Sequence, residues 1–138
     1  THTGGRAMSV KHTTRYSLDN QLSVLPDDTG LPRHAEHRFR ERTPHDRDVG
    51  LLEAYQRGND IPHPSVAYLS GKHPSPDRAR VYRHGDQWGV VFLICTDHRP
   101  ETGVAEVVRT VVAIRQYSHA PSKSYLMATG PHHPGGSE

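Results

Sequence analysis

The chain has 138 residues, a hydrophobic content of 33% and a formal net charge of +2 when its 12 histidines are neutral. A chain of this length and polarity buries one modest core, which favours a single domain with polar ends and argues against two domains. The sequence has no apolar run of the ~18 residues that a membrane span needs and no signal-peptide pattern, so we expect a soluble protein without membrane contacts.

Residues 1–30 are predicted to form a partly flexible N-terminal arm. They are rich in Ser, Thr, Asp and Asn, and residues 22–25 alone carry enough apolar side chains for a short strand. Met8 is a plausible native start. On this interpretation residues 1–7 are either not native to the protein or the remnant of its excision from a longer chain.

Two helices are predicted next. Pro32 suits a first helical position, because its missing N–H has no partner there, and Pro44 ends a helix over residues 32–42. A second helix is expected to begin at Thr43, with Asp46 as its capping partner, and to stop at Gly58.

Antiparallel strands are expected to follow. The segment 80–95 predicts a hairpin with a two-residue turn at Gly85 and Asp86, which places Arg83 opposite Trp88. Such a turn needs positive φ, which glycine adopts without strain.

The segment 104–117 predicts a long final strand. Strict alternation along it places Val108 and Val112 on one side and Arg109 and Arg115 on the other. One side then packs on the helices, while the other presents cations on an open surface. Residues 119–138 are rich in Pro and Gly towards their end, and we expect a flexible C-terminal tail.

The single cysteine, Cys95, lies in an apolar run, which predicts a buried thiol. One cysteine excludes an intramolecular disulfide and a cysteine-based zinc site. Zinc could still be held by His34 and His37 with Glu41, or by His132 and His133, but neither set supplies enough ligands, so we expect no metal and no other cofactor.

Together the elements predict an α+β domain over residues 31–118, with two N-terminal helices packed on a four- or five-stranded antiparallel sheet. This order resembles the RelE and ParE toxins and, more broadly, the RNase superfamily of barnase, EndoU, colicin and RelE domains. The resemblance is carried by the basic run 34–42, which begins His34-Ala35, by the hairpin 81–91, and by a last strand ending in Arg115-Gln116-Tyr117.

The resemblance implies a toxin that cleaves RNA without a metal ion, by attack of the ribose 2′-OH on the adjacent phosphate. It also implies RNA as substrate and a cognate antitoxin or immunity protein as partner. We accordingly expect a cytoplasmic protein, or one delivered to the cytoplasm of a target cell if it is excised from a longer toxin.

This chemistry needs proton carriers and cations around one phosphate. Histidine can accept or donate a proton near neutral pH, and arginine binds phosphate oxygens bidentately. The candidate catalytic residues are His34, His37, Arg38, Arg115 and Tyr117. The candidate RNA-binding residues are Arg33, Arg40, Arg42, Arg83 and Arg109. The two groups must meet in one cleft, with imidazoles from the first helix and guanidiniums from the last strand.

Other interpretations stay open. The charged side chains of the first helix can be a solvated face with weak internal pairs, and Arg109 and Arg115 can be edge charges that discourage aggregation. Tyr117 is also typical of a half-buried packing residue. The same fold could serve as a non-enzymatic module that binds nucleic acid or a partner, or as a toxin that poisons DNA gyrase.

Overall fold

The computed structural model describes residues 13–14, 22–68, 75–85, 87–98 and 103–128. The strands in these ranges are β1 (Thr13–Thr14), β2 (Leu22–Val24), β3 (Gly30–Pro32), β4 (Asn59–Asp60), β5 (Arg78–His84), β6 (Trp88–Thr96) and β7 (Glu106–Ala113). The helices are α1 (Arg33–Arg42), α2 (Leu51–Arg57) and α3 (Ala120–Ala128), with short 3₁₀ helices at Pro64–Ala67 and Ile114–Gln116. The seven strands form one sheet in the order β1-β2-β3-β7-β6-β5-β4.

The class is α+β, but the predicted arrangement of two N-terminal helices on a four- or five-stranded antiparallel sheet is wrong. The strands β2 and β3 precede α1, and β3 runs parallel to β7 with Gly30 opposite Val107. The sheet is therefore mixed. Because β3 has three residues and contains both glycine and proline, it carries no strand pattern that the sequence could reveal.

Helices cover both faces of the sheet. Alternate residues of β6 point to opposite sides, so Phe92 packs with Phe39 of α1 and Tyr55 of α2, whereas Val91 belongs to a second core with Leu126 of α3. Leu126 is fully buried. The folded unit therefore extends past residue 118 into the segment predicted to be a flexible tail, and it also includes β2 from the predicted N-terminal arm.

The first helix is confirmed and the start of the second is wrong. Thr43 does not cap α2; its hydroxyl donates to the Phe39 carbonyl at 2.7 Å and so closes the end of α1. The second helix begins only at Leu51, after Gly50, and ends as predicted before Gly58.

The predicted hairpin register is wrong by one residue. His84 lies opposite Trp88, and Arg83 lies opposite Gly89, so three residues connect β5 to β6. Gly85 has a φ of 57° and takes the left-handed conformation that this longer connection needs.

The predicted alternation along β7 fails at a β-bulge. Val108 pairs with Ile94 and Thr110 pairs with Leu93, which leaves Arg109 as the extra residue. A bulge reverses the facing of every residue after it. As a result Val108 and Val111 share the face covered by α1 and α2.

No helix in the described part of the chain is both long and apolar enough to cross a membrane. The other expectations for residues 1–12, 15–21 and 129–138, including the histidine pair His132-His133, lie outside the described residues, as does Asp86 of the predicted turn.

Candidate functional site

A cleft of about 390 Å³ opens at the end of the sheet where β7 and the β5–β6 hairpin finish. Its walls come from the end of α1, the hairpin connection, the chain that follows β7, and α3. The described lining residues are Arg42, Thr43, Pro44, Arg83, Gly85, Gln87, Trp88, Gly89, Ala113, Ile114, Arg115, Lys123 and Met127.

The cleft is cationic. Arg42, Arg83, Arg115 and Lys123 line it, and no described lining residue is acidic. Burial lowers the pKa of Arg42, and the positive charges of Arg38 and Arg115 lower it further against the opposing effect of Glu41. Because like charges face each other here, an anion entering the cleft would be stabilised by several cations at once.

Two of the cations are anchored to backbone carbonyls. Arg42 donates from Nη1 to the carbonyl oxygen of Val111 at 2.9 Å. Arg83 is buried and donates to the carbonyl oxygen of Met127 and, at 3.4 Å, to that of Gly85. Arg83 therefore ties the end of α3 to the hairpin and fixes two walls of the cleft relative to each other.

The other two cations are exposed. Arg115 lies in the 3₁₀ helix after β7, where the Gln116 side chain accepts a hydrogen bond from the Ala113 backbone N–H at 2.9 Å and fixes the turn. Lys123 projects from α3. Neither side chain forms an ion pair with a described residue, so both are available to a ligand.

An aromatic stack supports the hairpin side of the cleft. The Trp88 ring, which is partly exposed, stacks on His84 with 4.9 Å between ring centroids and 16° between planes. His84 is buried, its Nδ1 lies 2.7 Å from the Tyr82 hydroxyl, and its Nε2 lies 3.3 Å from a carboxylate oxygen of Asp48. These contacts hold His84, and with it Trp88, in one orientation.

The structure places the candidate His34 against the sheet, outside the lining of the cleft. Its Nε2 lies 2.7 Å from the carbonyl oxygen of Arg109. A carbonyl can only accept, so Nε2 carries the proton. The carbonyls of Arg109 and Val111 both face α1, since one accepts a hydrogen bond from His34 and the other from Arg42. His34 and Arg42 together cover the edge that β3 leaves unpaired beyond Val107.

The remaining candidates on α1 face solvent. Arg33, His37 and Arg40 are exposed, and Arg38 pairs with Glu41 at 3.1 Å. These side chains do not line the cleft.

The candidates Arg109 and Tyr117 are also outside the cleft lining. Arg109 is the bulge residue, and its Nε is buried without a hydrogen-bond partner among the described residues. Tyr117 is 2% exposed, and its hydroxyl donates to the carbonyl oxygen of Ala67 at 2.7 Å. Burial raises the pKa of Tyr117 far above its ordinary value. This hydroxyl is a structural donor without access to a substrate in the cleft.

The structure thus brings together guanidiniums from the end of α1, from β5 and from the chain after β7, but it does not bring the imidazoles of His34 and His37 to them. Sequence reasoning missed Lys123, because its segment was interpreted as a tail. Pro121 in the first turn and the buried Leu126 near the end of the segment are the signals that favour a helix there.

Carboxylates cluster elsewhere, around Arg78. Its guanidinium contacts Asp60 at 3.0 Å, Glu106 at 3.1 Å and Asp27 at 3.6 Å, and Tyr55 donates to Asp27 at 2.7 Å. The arginine occupies these oxygens, so the cluster joins the strands and α2. Among the residues that the structure describes, no group of three or more His, Cys, Asp or Glu side chains is arranged to hold a metal ion.

The chain matches no family model, no curated protein and no solved structure. Evidence for its function therefore comes from the geometry and the charge of the cleft.

Proposed function

We propose that this domain binds RNA and that the cationic cleft holds the phosphate groups. The observation that supports this proposal is the convergence of Arg42, Arg83, Arg115 and Lys123 on one cavity with no acidic residue in its described lining. Placing four like charges together destabilises the free protein, so such an arrangement favours an anionic ligand.

Phosphate suits this set of donors. Each guanidinium offers a planar pair of N–H groups that matches two phosphate oxygens, and the lysine adds a point charge. The indole of Trp88 lies in the same cleft, next to the cations. Aromatic side chains beside a basic groove are typical of proteins that bind single-stranded nucleic acid, because bases stack on them.

The reaction that we propose for the cleft is metal-independent RNA cleavage, as the resemblance to RelE-like toxins implies. The ribose 2′-oxygen gives its proton to water and bonds to the adjacent phosphorus, the bond from phosphorus to the 5′-oxygen breaks, and a 2′,3′-cyclic phosphate and a 5′-hydroxyl are formed. Arg42 and Arg115 would stabilise the charge that develops on the phosphorane oxygens. A neutralising antitoxin or immunity protein would present carboxylates to the same cations.

A non-enzymatic RNA-binding module is the second candidate. It is favoured by the absence of an imidazole from the described lining, since His34 and His37 lie outside the cleft. Without a proton acceptor beside the phosphate, binding would leave the RNA intact.

One experiment tests the proposal and separates the two candidates. The pure protein is incubated in EDTA with a fluorescent single-stranded RNA, and both anisotropy and product formation are followed. We expect submillimolar binding that Arg115→Ala weakens at least fivefold and that the control Arg57→Ala, a cation on α2, leaves unchanged. Products that require no divalent metal support cleavage, and binding without products supports the second candidate.

If the wild-type protein does not bind RNA, both candidate functions are overturned. Inhibition of DNA gyrase by a protein that does not bind RNA would instead support the third interpretation, a toxin that poisons gyrase.

A further inference from the structure

The outer face of α1 carries a basic stripe made of Arg33, His37 and Arg40. These residues follow one another at spacings of four and three, which aligns them on one side of a helix. The inward side holds Ala35 and Phe39, which are 0% and 1% exposed. The stripe therefore points directly away from the sheet.

The stripe is free of partners in the described part of the chain. Arg33, His37 and Arg40 are exposed and form no ion pair or side-chain hydrogen bond with a described residue. The whole of α1 contains four arginines and two glutamates, and one of the glutamates, Glu41, is paired with Arg38. The face thus keeps a net positive charge that nothing in the described fold uses.

The stripe ends close to the cleft. Ten residues at about 1.5 Å each make α1 about 15 Å long, and its last residue, Arg42, lines the cavity. Arg40 lies two residues before it, which puts the two side chains on opposite sides of α1, so a strand that contacts both must cross over the end of the helix. Arg38, which is paired with Glu41, lies one turn before Arg42, and its positive charge and that of Arg115 lower the pKa of Arg42, so the cationic surface of the cleft extends back along α1 to Arg38.

The composition of the stripe fits phosphates better than a protein. The centres of protein-binding surfaces are enriched in aromatic residues and methionine as well as in arginine, so an interface normally combines its cations with an apolar anchor. The large hydrophobic side chains that the described structure exposes are Tyr68 and Met127, and neither lies on α1. A row of separated cations without such an anchor is instead typical of contacts to a nucleic-acid backbone.

We infer that the stripe is a second RNA contact: a single strand whose phosphate occupies the cleft continues along α1, with further phosphates on Arg33 and Arg40. This inference rests on the proposed function of the cleft. It predicts a binding site several nucleotides long, in which the cleft recognises a short RNA and the helix adds affinity for a longer one.

The test compares a dinucleotide with an octanucleotide of single-stranded RNA, with affinity measured over a range of salt concentrations. Each phosphate contact contributes about 0.7 to the salt dependence of binding to a single strand. We expect the slope for the octanucleotide to exceed that for the dinucleotide by about 1.4, which is two contacts at about 0.7 each. The double variant Arg33→Gln/Arg40→Gln should lose this difference and retain its affinity for the dinucleotide.

The control is Arg57→Gln, which removes a cation of α2 and should leave both slopes unchanged. An octanucleotide that binds with the same affinity and slope to the wild type and to the double variant would overturn the inference while the cleft proposal stands. Binding to polyglutamate is measured in parallel. If the double variant loses polyglutamate binding that the wild type shows, while its RNA binding stays intact, the inference is also overturned and the stripe is a protein-docking surface. If neither RNA binds to the wild type, the proposed function itself fails.

Discussion

Arg42 and Val111 are joined by a hydrogen bond from Nη1 to the backbone carbonyl oxygen at 2.9 Å. The same guanidinium lines the cationic cleft. Arg42 therefore stabilises the edge of β7 and also lines the proposed ligand site. Arg115 lines the same site but is not bonded to the sheet in this way. The two arginines should differ in what their removal does to the fold.

Arg115→Ala is expected to weaken RNA binding and to lower the salt slope by about 0.7, with no change in the free energy of unfolding. Arg42→Ala should weaken binding similarly and also lower the free energy of unfolding by about 1–2 kcal/mol, because the carbonyl of Val111 loses a charged donor. Urea denaturation and anisotropy measure the two effects. Equal stability of the two variants would contradict the role assigned to Arg42.

His34→Ala should destabilise the fold without affecting the cleft. The substitution removes the donor to the Arg109 carbonyl at 2.7 Å, and we expect a loss of about 1 kcal/mol. His37→Ala is the stability control, since His37 is exposed and its loss should leave the urea midpoint unchanged. If His34→Ala abolished RNA cleavage while the protein stayed folded, a catalytic role for His34 would be restored.

Tyr117→Phe tests whether this hydroxyl is structural. The variant leaves the buried Ala67 carbonyl without its donor, which should cost about 1–3 kcal/mol in the free energy of unfolding. RNA affinity and any cleavage should stay at the wild-type level. Tyr68→Phe, at a 40% exposed position, is the matched control and should be neutral. A loss of cleavage in Tyr117→Phe at unchanged stability would argue for a catalytic tyrosine.

Acid should destabilise the protein partly through Asp27. Burial alone would raise the pKa of Asp27, but hydrogen bonds from Tyr55 and Thr29 and the charge of Arg78 outweigh it, so this pKa lies below its ordinary value. A carboxylate with a lowered folded-state pKa stabilises the fold fully above its unfolded pKa of about 3.9, and this contribution disappears as pH falls through the folded value.

Urea unfolding between pH 5 and pH 2 measures this effect. We expect the wild type to lose more stability over this range than Asp27→Asn, whose side chain does not titrate. Identical pH dependence in the two proteins would show that Asp27 does not contribute.

Gly58→Ala should be strongly destabilising because of a close approach between elements. A Cβ at this position would lie 2.7 Å from the carbonyl oxygen of Val81 in β5 and 3.1 Å from that of Ala54. Backbone must shift to admit it, which costs about 1–3 kcal/mol. Gly50→Ala is the control, because nothing lies within 4 Å of its added Cβ. Thermal unfolding of the two variants should therefore diverge, and similar melting temperatures would contradict the close packing.

The helix α1 could be predicted because proline marks both of its ends, at Pro32 and Pro44, and because Ala35 and Phe39 have helical spacing. The start of α2 could not be predicted, since the hydroxyl of Thr43 bonds back to Phe39 and leaves the expected cap unused. A threonine between two helices can bond either to a carbonyl of the helix before it or to a backbone N–H of the helix after it, and tertiary packing decides which bond forms.

The β-sheet shows the same limit. The bulge at Arg109 reverses the facing of every later residue of β7, and no turn residue or proline marks it. The parallel pairing of β3 depends on a contact between Gly30 and Val107, which are far apart in the sequence. For the site, the cations Arg42, Arg83 and Arg115 could be named from their type. Their convergence with Lys123 depends on α3, whose apolar residues show almost no helical periodicity.

The side chains of α1 that lie along β7 have a consequence for how molecules of this protein meet in concentrated solution. A strand with a row of vacant acceptors invites a strand from another molecule, which is how ordered aggregates begin. On β7 the carbonyls of Arg109 and Val111 are already occupied by His34 and Arg42. An approaching chain would have to displace an imidazole and a guanidinium before it could pair here, so α1 protects this side of the sheet against self-association.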